Sequence, residues 1–282
     1  MNERIYLDTC PLGCNAPLQA TALMQPEGAL MRCTACGQLL SQCSEAQYWH
    51  SMQEFDDAQG TLPLPADEAR RFALGKKRLD KVTRMLGMPP QQIHLLDVGC
   101  SSGAFLRVAR ELGFQAEGVE PAPQAAQTTA AAGFKVYQGL LQDAHFPGAA
   151  FDAITLFEVI EHLREPLTLL RECRRILRPD GVMMIGTGNA ASWTVAAQGG
   201  RWEYFSIARH GGHVSFFNPD SLRLAAQRSG FRVARIETRS VRLCDKDTCA
   251  RLPYTLAKIG GELLNTPARL LGKGHDMLAL LC

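Results

Sequence analysis

The sequence predicts an α/β protein in which helices cover both faces of a doubly wound, mostly parallel sheet, with a small cysteine-rich module ahead of it. Two observations lead to this fold class. From residue 91 onward, short apolar segments alternate with stretches of helical periodicity, a pattern typical of parallel sheets. Five of the ten cysteines lie between Cys10 and Cys43, which indicates a separate small module at the N-terminus.

The bulk composition is that of a globular chain. Its 282 residues are 46% hydrophobic, enough for one large domain with a small appendage. Lys and Arg number 30 against 28 Asp and Glu, so the net charge of +2 argues against a large nucleic-acid-binding surface. The N-terminus lacks the basic region and apolar core of a secretory signal, and no apolar run approaches the roughly 20 residues of a membrane span. We therefore expect a cytoplasmic protein without a transmembrane segment.

Five segments have the apolar, β-branched character of buried strands. They are Ile93–Val98, Gln115–Val119, Lys135–Gln138, Asp152–Phe157 and Val182–Gly186. An amphipathic helix is predicted ahead of them, from Ala66 to Leu86, because apolar residues recur there at helical spacing. Ligands of parallel sheets bind beyond the carboxyl ends of the strands, so the residues that follow each segment are the candidates for a site.

The turn after the first of these strands is the strongest functional signal. Residues Leu95–Phe105 have the sequence LLDVGCSSGAF, with Asp97 at the strand end and Gly99 and Gly103 in the turn. Glycines at such a place let the backbone approach a ligand closely. The next strand is followed by Glu120, about twenty residues on, where an acid is suited to bonding ribose hydroxyls. The pair predicts a nucleoside-containing cofactor, with an ordinary strand-to-helix turn as the alternative.

The N-terminal cysteines have the spacing of a metal site. The two pairs are Cys10 with Cys14 and Cys33 with Cys36. A strand-like hairpin (18–32) separates them, so four thiolates can surround one zinc ion tetrahedrally. All-cysteine ligation leaves no open position, which predicts a structural zinc ion that supplies much of the stability of this short segment. Free thiols are the alternative, and Cys43 and His50 are spare ligands should one of the four not bind.

The turn at DVGCSSG and the segment FDAITLFEVIEHLREPLTLLRECRRILRPDGVMMIGTGN (151–189) resemble class I S-adenosylmethionine-dependent methyltransferases. A later block, GGRWEYFSIARHGGHVSFFNPDSLRLAAQRSGF (199–231), resembles the bacterial type-23 group of these enzymes. The resemblance runs from about Leu95 to Arg235. It implies a Rossmann-like, doubly wound, mostly parallel seven-stranded sheet and S-adenosylmethionine as the cofactor. The cysteine module ahead of it resembles a zinc ribbon.

The resemblance also implies the roles of most site residues. Asp97 and Gly99 would border the amino-acid end of the cofactor, and Glu120 would bond its ribose. Ser101 and Leu140 depart from the family pattern, where a glycine and an acid are usual, so backbone groups or Asp143 would contact the adenine. The predicted cofactor-binding residues are Asp97, Gly99, Cys100, Ser101, Gly103, Glu120, Leu140, Leu141, Asp143 and Phe157.

Two histidines are candidate catalytic bases, because an imidazole titrates near neutrality. His162 follows Glu161 at the predicted start of the helix after the fourth strand, with bonding to a neighbouring loop as its structural alternative. His213 lies in an aromatic-rich segment expected to cover the acceptor, with burial against Phe216 and Phe217 as its alternative. Four further residues of that segment are plausible acceptor contacts: Arg201, Trp202, Tyr204 and His210.

We expect four regions along the chain. Residues 1–45 form the zinc module, and 46–90 form a connector and leading helix, with turn signals at Gly60, Pro63 and Pro65. Residues 91–240 form the cofactor-binding domain, including an acceptor-covering segment at 190–220. Residues 241–282 form a helical tail.

The helical tail carries apolar residues at mixed helical spacing: Leu252, Leu256, Ile259, Leu263 and Leu264. The favoured interpretation is a final packing helix, broken near Gly260 and Gly261. The alternative is an interfacial element that guides a lipid-linked acceptor, which the small number of positive charges disfavours.

The leading hypothesis is methyl transfer, at oxygen, to a small molecule, a saccharide or a lipid-linked saccharide. Ribosomal-RNA base methylation is the alternative within enzymes, since some guanine methyltransferases place a cysteine-rich zinc module ahead of the same fold. A non-enzymatic alternative is a zinc-stabilised adaptor with a vestigial cofactor fold, which the departures at Ser101 and Leu140 favour. The sequence leaves the acceptor and the oligomeric state open.

Overall fold

The structure is a computed structural model that describes residues 4–58, 65–244 and 251–282. In chain order, the strands are β1 (Leu18–Gln25), β2 (Gly28–Cys33), β3 (Leu39–Leu40), β4 (His94–Val98), β5 (Gln115–Glu120), β6 (Val136–Gln138), β7 (Phe151–Phe157), β8 (Leu177–Gly188), β9 (Ser215–Phe216), β10 (Val233–Arg239) and β11 (Asp276–Leu281). The helices are α1 (Glu45–Ala58), α2 (Pro65–Leu86), α3 (Ala104–Glu111), α4 (Pro123–Ala131), α5 (Pro166–Ile176), α6 (Trp193–Gln198), α7 (Ile207–His210), α8 (Pro219–Arg228) and α9 (Arg251–Leu270). The predicted turn signals at Gly60 and Pro63 lie outside the described residues, and Pro65 begins α2.

The larger sheet has seven strands in the order β10-β11-β8-β7-β4-β5-β6. Strands β4 to β8 pair in parallel, whereas β11 runs antiparallel to both β8 and β10. The predicted Rossmann-like, mostly parallel seven-stranded sheet is therefore confirmed, and each of the five predicted strands is present. The predicted helix at 66–86 is confirmed as α2.

The sheet is buried on both faces because side chains alternate along each strand. Leu95 packs with α2 and α3 in one apolar cluster, and its neighbour Leu96 packs with α5 and α8 in another. Met184 likewise packs in the first of these clusters and Ile185 in the second. This packing fixes the carboxyl ends of β4, β5, β7 and β8 at one edge, where a ligand of such a sheet binds.

Two regions differ from the sequence-based expectation. The expected helical tail, 241–282, contains β11, which lies between β8 and β10 and completes the large sheet. Its run DMLALL is short and apolar, a pattern that periodicity cannot distinguish from a buried helix. The expected connector begins with α1. The Ser44 hydroxyl accepts from Gln47 N at 3.2 Å, and Gln47 Oε1 accepts from Ser44 N at 2.8 Å, which is a capping box that starts this helix.

The N-terminal module joins the large domain through a second, four-stranded sheet in the order β1-β2-β3-β9. Strand β9 belongs to the segment 190–220, and its Phe216 pairs with Leu39 of β3. The module is therefore continuous with the segment predicted to cover the acceptor. None of the described helices combines the length and the hydropathy that a transmembrane segment needs.

Candidate active site

The turn after β4 is shaped by backbone that only small residues adopt easily. Gly99, Ser101 and Gly103 have φ values of 76°, 47° and 75°. A Cβ atom on Gly99 would lie 2.4 Å from Val159 Cγ2, so a larger residue does not fit there. The amide of Gly99 donates to the Val119 carbonyl at 2.8 Å, which ties the turn to β5. The result is a backbone cradle at the carboxyl edge of the sheet.

Glu120 ends β5 beside this cradle. Its carboxylate accepts from the amides of Ser101 at 2.7 Å and Ala122 at 2.9 Å. Ser101, at the departure from the family pattern, takes the left-handed conformation, and its carbonyl accepts from Thr129 Oγ1 at 2.7 Å. The acid is thereby held in a fixed position at the turn. Its predicted role toward ribose stays a prediction.

Asp97 is buried at the end of β4. Its Oδ1 accepts from the Thr155 hydroxyl at 2.6 Å. Burial raises the pKa of Asp97 to about 7, with the Thr155 bond and the charge of Arg78 acting in the opposite direction. The carboxyl group is therefore poised to ionise when a cationic group comes near.

Arg78 is a site residue that sequence reasoning missed. It projects from α2, and its guanidinium carbon lies 4.0 Å from the ring centroid of Phe157. Burial and the charge of Arg239 lower its pKa, while Glu158 and Asp97 act in the opposite direction. Its Nε atom is buried and has no hydrogen-bond partner among the described residues. A buried guanidinium with a spare donor is suited to an anionic ligand group.

The residues predicted to frame the adenine differ in their exposure. The Leu140 side chain is exposed, and Asp143 is exposed beside it. The Leu141 side chain packs in the main apolar cluster, and that of Cys100 packs with Leu106 in a smaller one. Leu141 and Cys100 therefore offer only backbone groups to a ligand.

Carboxyl, phenol and imidazole groups converge on the carboxyl ends of β7 and β8. The Tyr204 hydroxyl bonds Glu161 Oε1 and lies 3.0 Å from Glu158 Oε2. It also lies 3.1 Å from the Thr187 hydroxyl and accepts from Gly188 N at 3.0 Å. Sequence reasoning placed Tyr204 among the acceptor contacts but did not connect it with Glu158.

The Tyr204 hydroxyl has one proton, so it can donate to only one of the two carboxyl groups at a time. Solvent reaches Glu158, yet the protein atoms packed around its carboxyl group and the charge of Glu161 both raise its pKa well above the usual value. The Tyr204 hydroxyl is the donor toward both Glu158 Oε2 and Glu161 Oε1. Glu158 also has a φ of 55°, and this strained backbone at the end of β7 aims its side chain into the cluster.

His213 lies against this cluster and is 3% exposed. Its Nδ1 is 2.9 Å from the Tyr204 carbonyl, so it carries the proton, and its Nε2 lies 3.8 Å from Glu161 Oε1. Burial and the neighbouring His162 and His210 lower the pKa of His213 well below the usual value. Its ring contacts are with Tyr204, His162 and His210. The ring is thus a neutral imidazole beside a carboxylate.

His162 does not begin the helix after β7 as predicted. It ends a 3₁₀ turn, Ile160–His162, and α5 starts four residues later at Pro166, a residue favoured in a first helical turn. The half-buried His162 ring lies 4.6 Å from that of His213. Ligand atoms of Glu161, His162 and His213 lie within 4.8 Å of one another, a donor set that a divalent cation could also use. Of the other predicted acceptor contacts, Arg201 is exposed and Trp202 is buried against Tyr204.

The structure brings the four predicted cysteine ligands together. They are Cys10, Cys14, Cys33 and Cys36, and their sulfur atoms lie within 4.8 Å of one another. Cys10 Sγ and Cys36 Sγ are 3.6 Å apart, close to the about 3.8 Å expected of two thiolates in a tetrahedral zinc site. Hydrogen bonds from Cys36 and from the backbone lower the pKa of Cys10 to about 5. The donor set fits zinc, and the spare candidates Cys43 and His50 are not part of it.

Contacts from the N-terminal region hold the backbone around the three neighbouring histidines, His162, His210 and His213, which we call the histidine cluster. Ser41 N donates to the Val214 carbonyl at 2.9 Å, and Val214 N donates to the Glu161 carbonyl at 3.0 Å. From α1, the Tyr48 hydroxyl donates to the His162 carbonyl at 3.1 Å. The backbone on both sides of His213 is therefore fixed by the module and by α1.

The fold and the site together indicate an enzyme that uses a nucleoside-containing cofactor. The features are the Rossmann-like sheet, the glycine cradle after β4, Glu120 at the end of β5 and the Arg78 guanidinium. Comparison with known proteins identifies the family. Residues 67–236, more than half of the chain, match the family model described as a methyltransferase domain. The chain belongs to this family. Membership of this family favours an enzyme over the adaptor alternative.

Curated relatives include named methyltransferases, and the chain spans little more than half the length of the first of them. Ubiquinone biosynthesis O-methyltransferase of Xanthomonas campestris is 29% identical over 140 residues, which cover 46% of this chain and 57% of that protein. The enzyme of the same name from Cereibacter sphaeroides is 29% identical over 173 residues, covering 54% of this chain and 70% of its own length. An S-adenosylmethionine-dependent methyltransferase structure from Archaeoglobus fulgidus has a TM-score of 0.52 at 20% identity and covers 73% of this chain and 93% of that one, which shows the shared fold.

Proposed function

We propose that this enzyme transfers a methyl group from S-adenosylmethionine to a hydroxyl oxygen of a small-molecule acceptor, and that Cys10, Cys14, Cys33 and Cys36 hold a structural zinc ion. The observation that carries the proposal is the buried His213, whose Nε2 lies 3.8 Å from Glu161 Oε1 at the carboxyl ends of β7 and β8. The similarity to enzymes named for O-methylation in ubiquinone biosynthesis supports an oxygen acceptor.

On the cofactor side, the described residues provide complementary groups. When bound, S-adenosylmethionine supplies an electrophilic methyl group on a sulfonium. Arg78 would hold the carboxylate of its amino-acid end, because its Nε is buried without a hydrogen-bond partner among the described residues. Asp97 would face the ammonium group, and Glu120 would accept from the ribose hydroxyls. Phe157 would form the wall nearest the methyl group.

On the acceptor side, a hydroxyl group must lose its proton as it is methylated. A neutral His213 can accept that proton through Nε2, because Nδ1 is occupied by the Tyr204 carbonyl. Glu161 would then stabilise the imidazolium, and Tyr204 and Thr187 hold Glu161 in place. His162 is the second candidate base, at the more accessible side of the same cluster.

The test separates binding from chemistry. We expect His213→Asn to keep the affinity for S-adenosylhomocysteine, measured by calorimetry, and to lower methyl transfer about 100-fold or more, since general base catalysis contributes factors of this order. Transfer is followed with radiolabelled cofactor and a panel of a catechol, a hexose and ribosomal RNA. His162→Asn is the matched variant, and a larger loss there would move the base to His162.

Two results would overturn the proposal. Zinc-loaded, folded protein that fails to bind S-adenosylhomocysteine would remove the cofactor assignment. Transfer to ribosomal RNA with salt-dependent binding, and none to the small hydroxyl acceptors, would favour the RNA alternative. Metal analysis of protein purified without chelator tests the zinc ion, and less than about half an equivalent would contradict the four-cysteine site.

A further inference from the structure

Helix α9 displays its large apolar side chains to solvent. Leu256 is 62% exposed, Ile259 51%, Leu263 76% and Leu270 80%. Their spacing of three, four and seven residues places them on one face of the helix. The sequence analysis favoured a packing helix broken near Gly260 and Gly261. The predicted break is wrong, and the helix does pack on the protein, but not through Leu256, Ile259 and Leu263. The helix is continuous, and these side chains are not packed.

The face of α9 that packs on the protein is built from small residues. Gly261 and Ala268 are buried, and a Cβ atom on Gly261 would lie 2.4 Å from the Val241 carbonyl oxygen. Asn265 Oδ1 accepts from Val241 N at 2.8 Å on the same side. Helices that cover a core usually turn their largest apolar residues inward. Here the arrangement is reversed, so the exposed row, which we call the leucine stripe (Leu256, Ile259, Leu263 and Leu270), is available to contact something outside the fold.

The leucine stripe lies at the ligand edge of the large sheet. The end of β10 at Arg239 pairs with Asp276 of β11, which pairs with Gly188 at the end of β8. Helix α9 belongs to the connection between Arg239, at the end of β10, and Asp276, at the start of β11. The Asn189 side chain donates to the Gly272 and Gly274 carbonyls at 3.0 and 2.8 Å, which joins the end of this excursion to the segment 190–220.

The charged residues beside the leucine stripe help to decide whether it contacts a lipid surface or a second copy of the chain. Lys258, Glu262 and Arg269 are exposed on one edge of it, four and seven residues apart, so this edge has one net positive charge. This small charge disfavoured an interfacial helix in the sequence, but the exposure of the leucine stripe, which the sequence did not show, favours one. An apolar stripe with a net positive edge suits anionic phospholipid headgroups above acyl chains, whereas a second copy would bring like charges together. We propose that α9 lies in the surface of an anionic phospholipid bilayer, with the leucine stripe in the boundary between headgroups and acyl chains.

Sedimentation with vesicles tests the proposal on the full chain. We expect the protein to bind vesicles of phosphatidylcholine with phosphatidylglycerol more tightly than vesicles of phosphatidylcholine alone, with the difference reduced by salt. The triple variant Leu256→Gln, Ile259→Gln, Leu263→Gln should lower the partition coefficient about tenfold or more, because each change removes apolar area from the contact. Met24→Gln, at a 61% exposed residue of β1, is the matched control and should bind as the wild type does.

Two further measurements make the outcome decisive. Circular dichroism and S-adenosylhomocysteine affinity show whether the triple variant keeps its fold, which the exposure of all three positions predicts. Equal vesicle binding by wild type and triple variant, or none by the wild type, would overturn the proposal. A wild-type dimer that the triple variant converts to a monomer, without vesicle binding, would assign the stripe to a second copy instead. The vesicle assay uses no methyl transfer, so its result is independent of the proposed function.

Discussion

Replacing Arg78 with glutamine removes the guanidinium that faces Phe157, Asp97 and Glu158 but keeps a side chain of similar reach. In the free protein the change loses the contact of the guanidinium with the Phe157 ring and its attraction to Asp97 and Glu158, which should lower stability by about 1 kcal/mol. In the complex it removes a charge-assisted bond to the carboxylate of the cofactor. Such bonds contribute about 1.5–3 kcal/mol, so the Kd for S-adenosylhomocysteine should rise about 10- to 100-fold.

The assay compares two ligands that differ in the group Arg78 is expected to bind. Calorimetry with S-adenosylhomocysteine should show the loss, whereas 5′-methylthioadenosine, which lacks the amino-acid carboxylate, should bind wild type and Arg78→Gln alike. Arg84→Gln is the matched control, since Arg84 is exposed on the same helix. An equal loss for both ligands would show that Arg78 supports the fold of the pocket, and no loss for either would refute the carboxylate assignment.

Glu120→Gln should raise the Kd for both of these ligands, because both carry ribose; unchanged affinity in calorimetry would contradict the ribose assignment. Cys33→Ser should lower the zinc content found by metal analysis and reduce acceptor turnover more than S-adenosylhomocysteine affinity, since the module holds the backbone beside His213; equal losses of both would indicate general unfolding. His213 has a depressed pKa, so the unfolded chain takes up its proton first and the native state loses stability as pH falls below about 6.5. His213→Asn should remove that component, by up to about 1.4 kcal/mol per pH unit in denaturant titrations, and parallel pH profiles for the two proteins would count against a buried neutral imidazole.

The parts of the fold that sequence could predict are those with local patterns. The five parallel strands and α2 follow from apolar periodicity, and the turn around Gly99 follows from its glycines. Strand β11 was missed because a run of five apolar residues after a helix carries no information about which strand it will pair with. Helix α1 was missed although the capping box of Ser44 and Gln47 was present in the sequence, since the proline and glycine breaks after it dominated the interpretation.

The candidate site likewise contains residues that the sequence could predict and residues that it could not. Asp97, Gly99 and Glu120 lie within one βαβ unit, so spacing alone suggests their proximity. Arg78 could not be found, because an arginine on an amphipathic helix is ordinary until the structure shows its Nε buried without a partner. The pairing of Glu158 with Tyr204 spans 46 residues and depends on a left-handed residue at a strand end, which no sequence pattern specifies.

The two halves of the site therefore depend on different parts of the chain. The cofactor cradle is built from neighbouring elements of the large sheet. The histidine cluster is held by Ser41 of the N-terminal module, by Tyr48 of α1 and by Tyr204 of the segment 190–220. Because β3 pairs with β9 two residues after His213, the proposed zinc ion would stiffen the module and also fix the position of that imidazole. We therefore expect the module to form one wall of the proposed acceptor site.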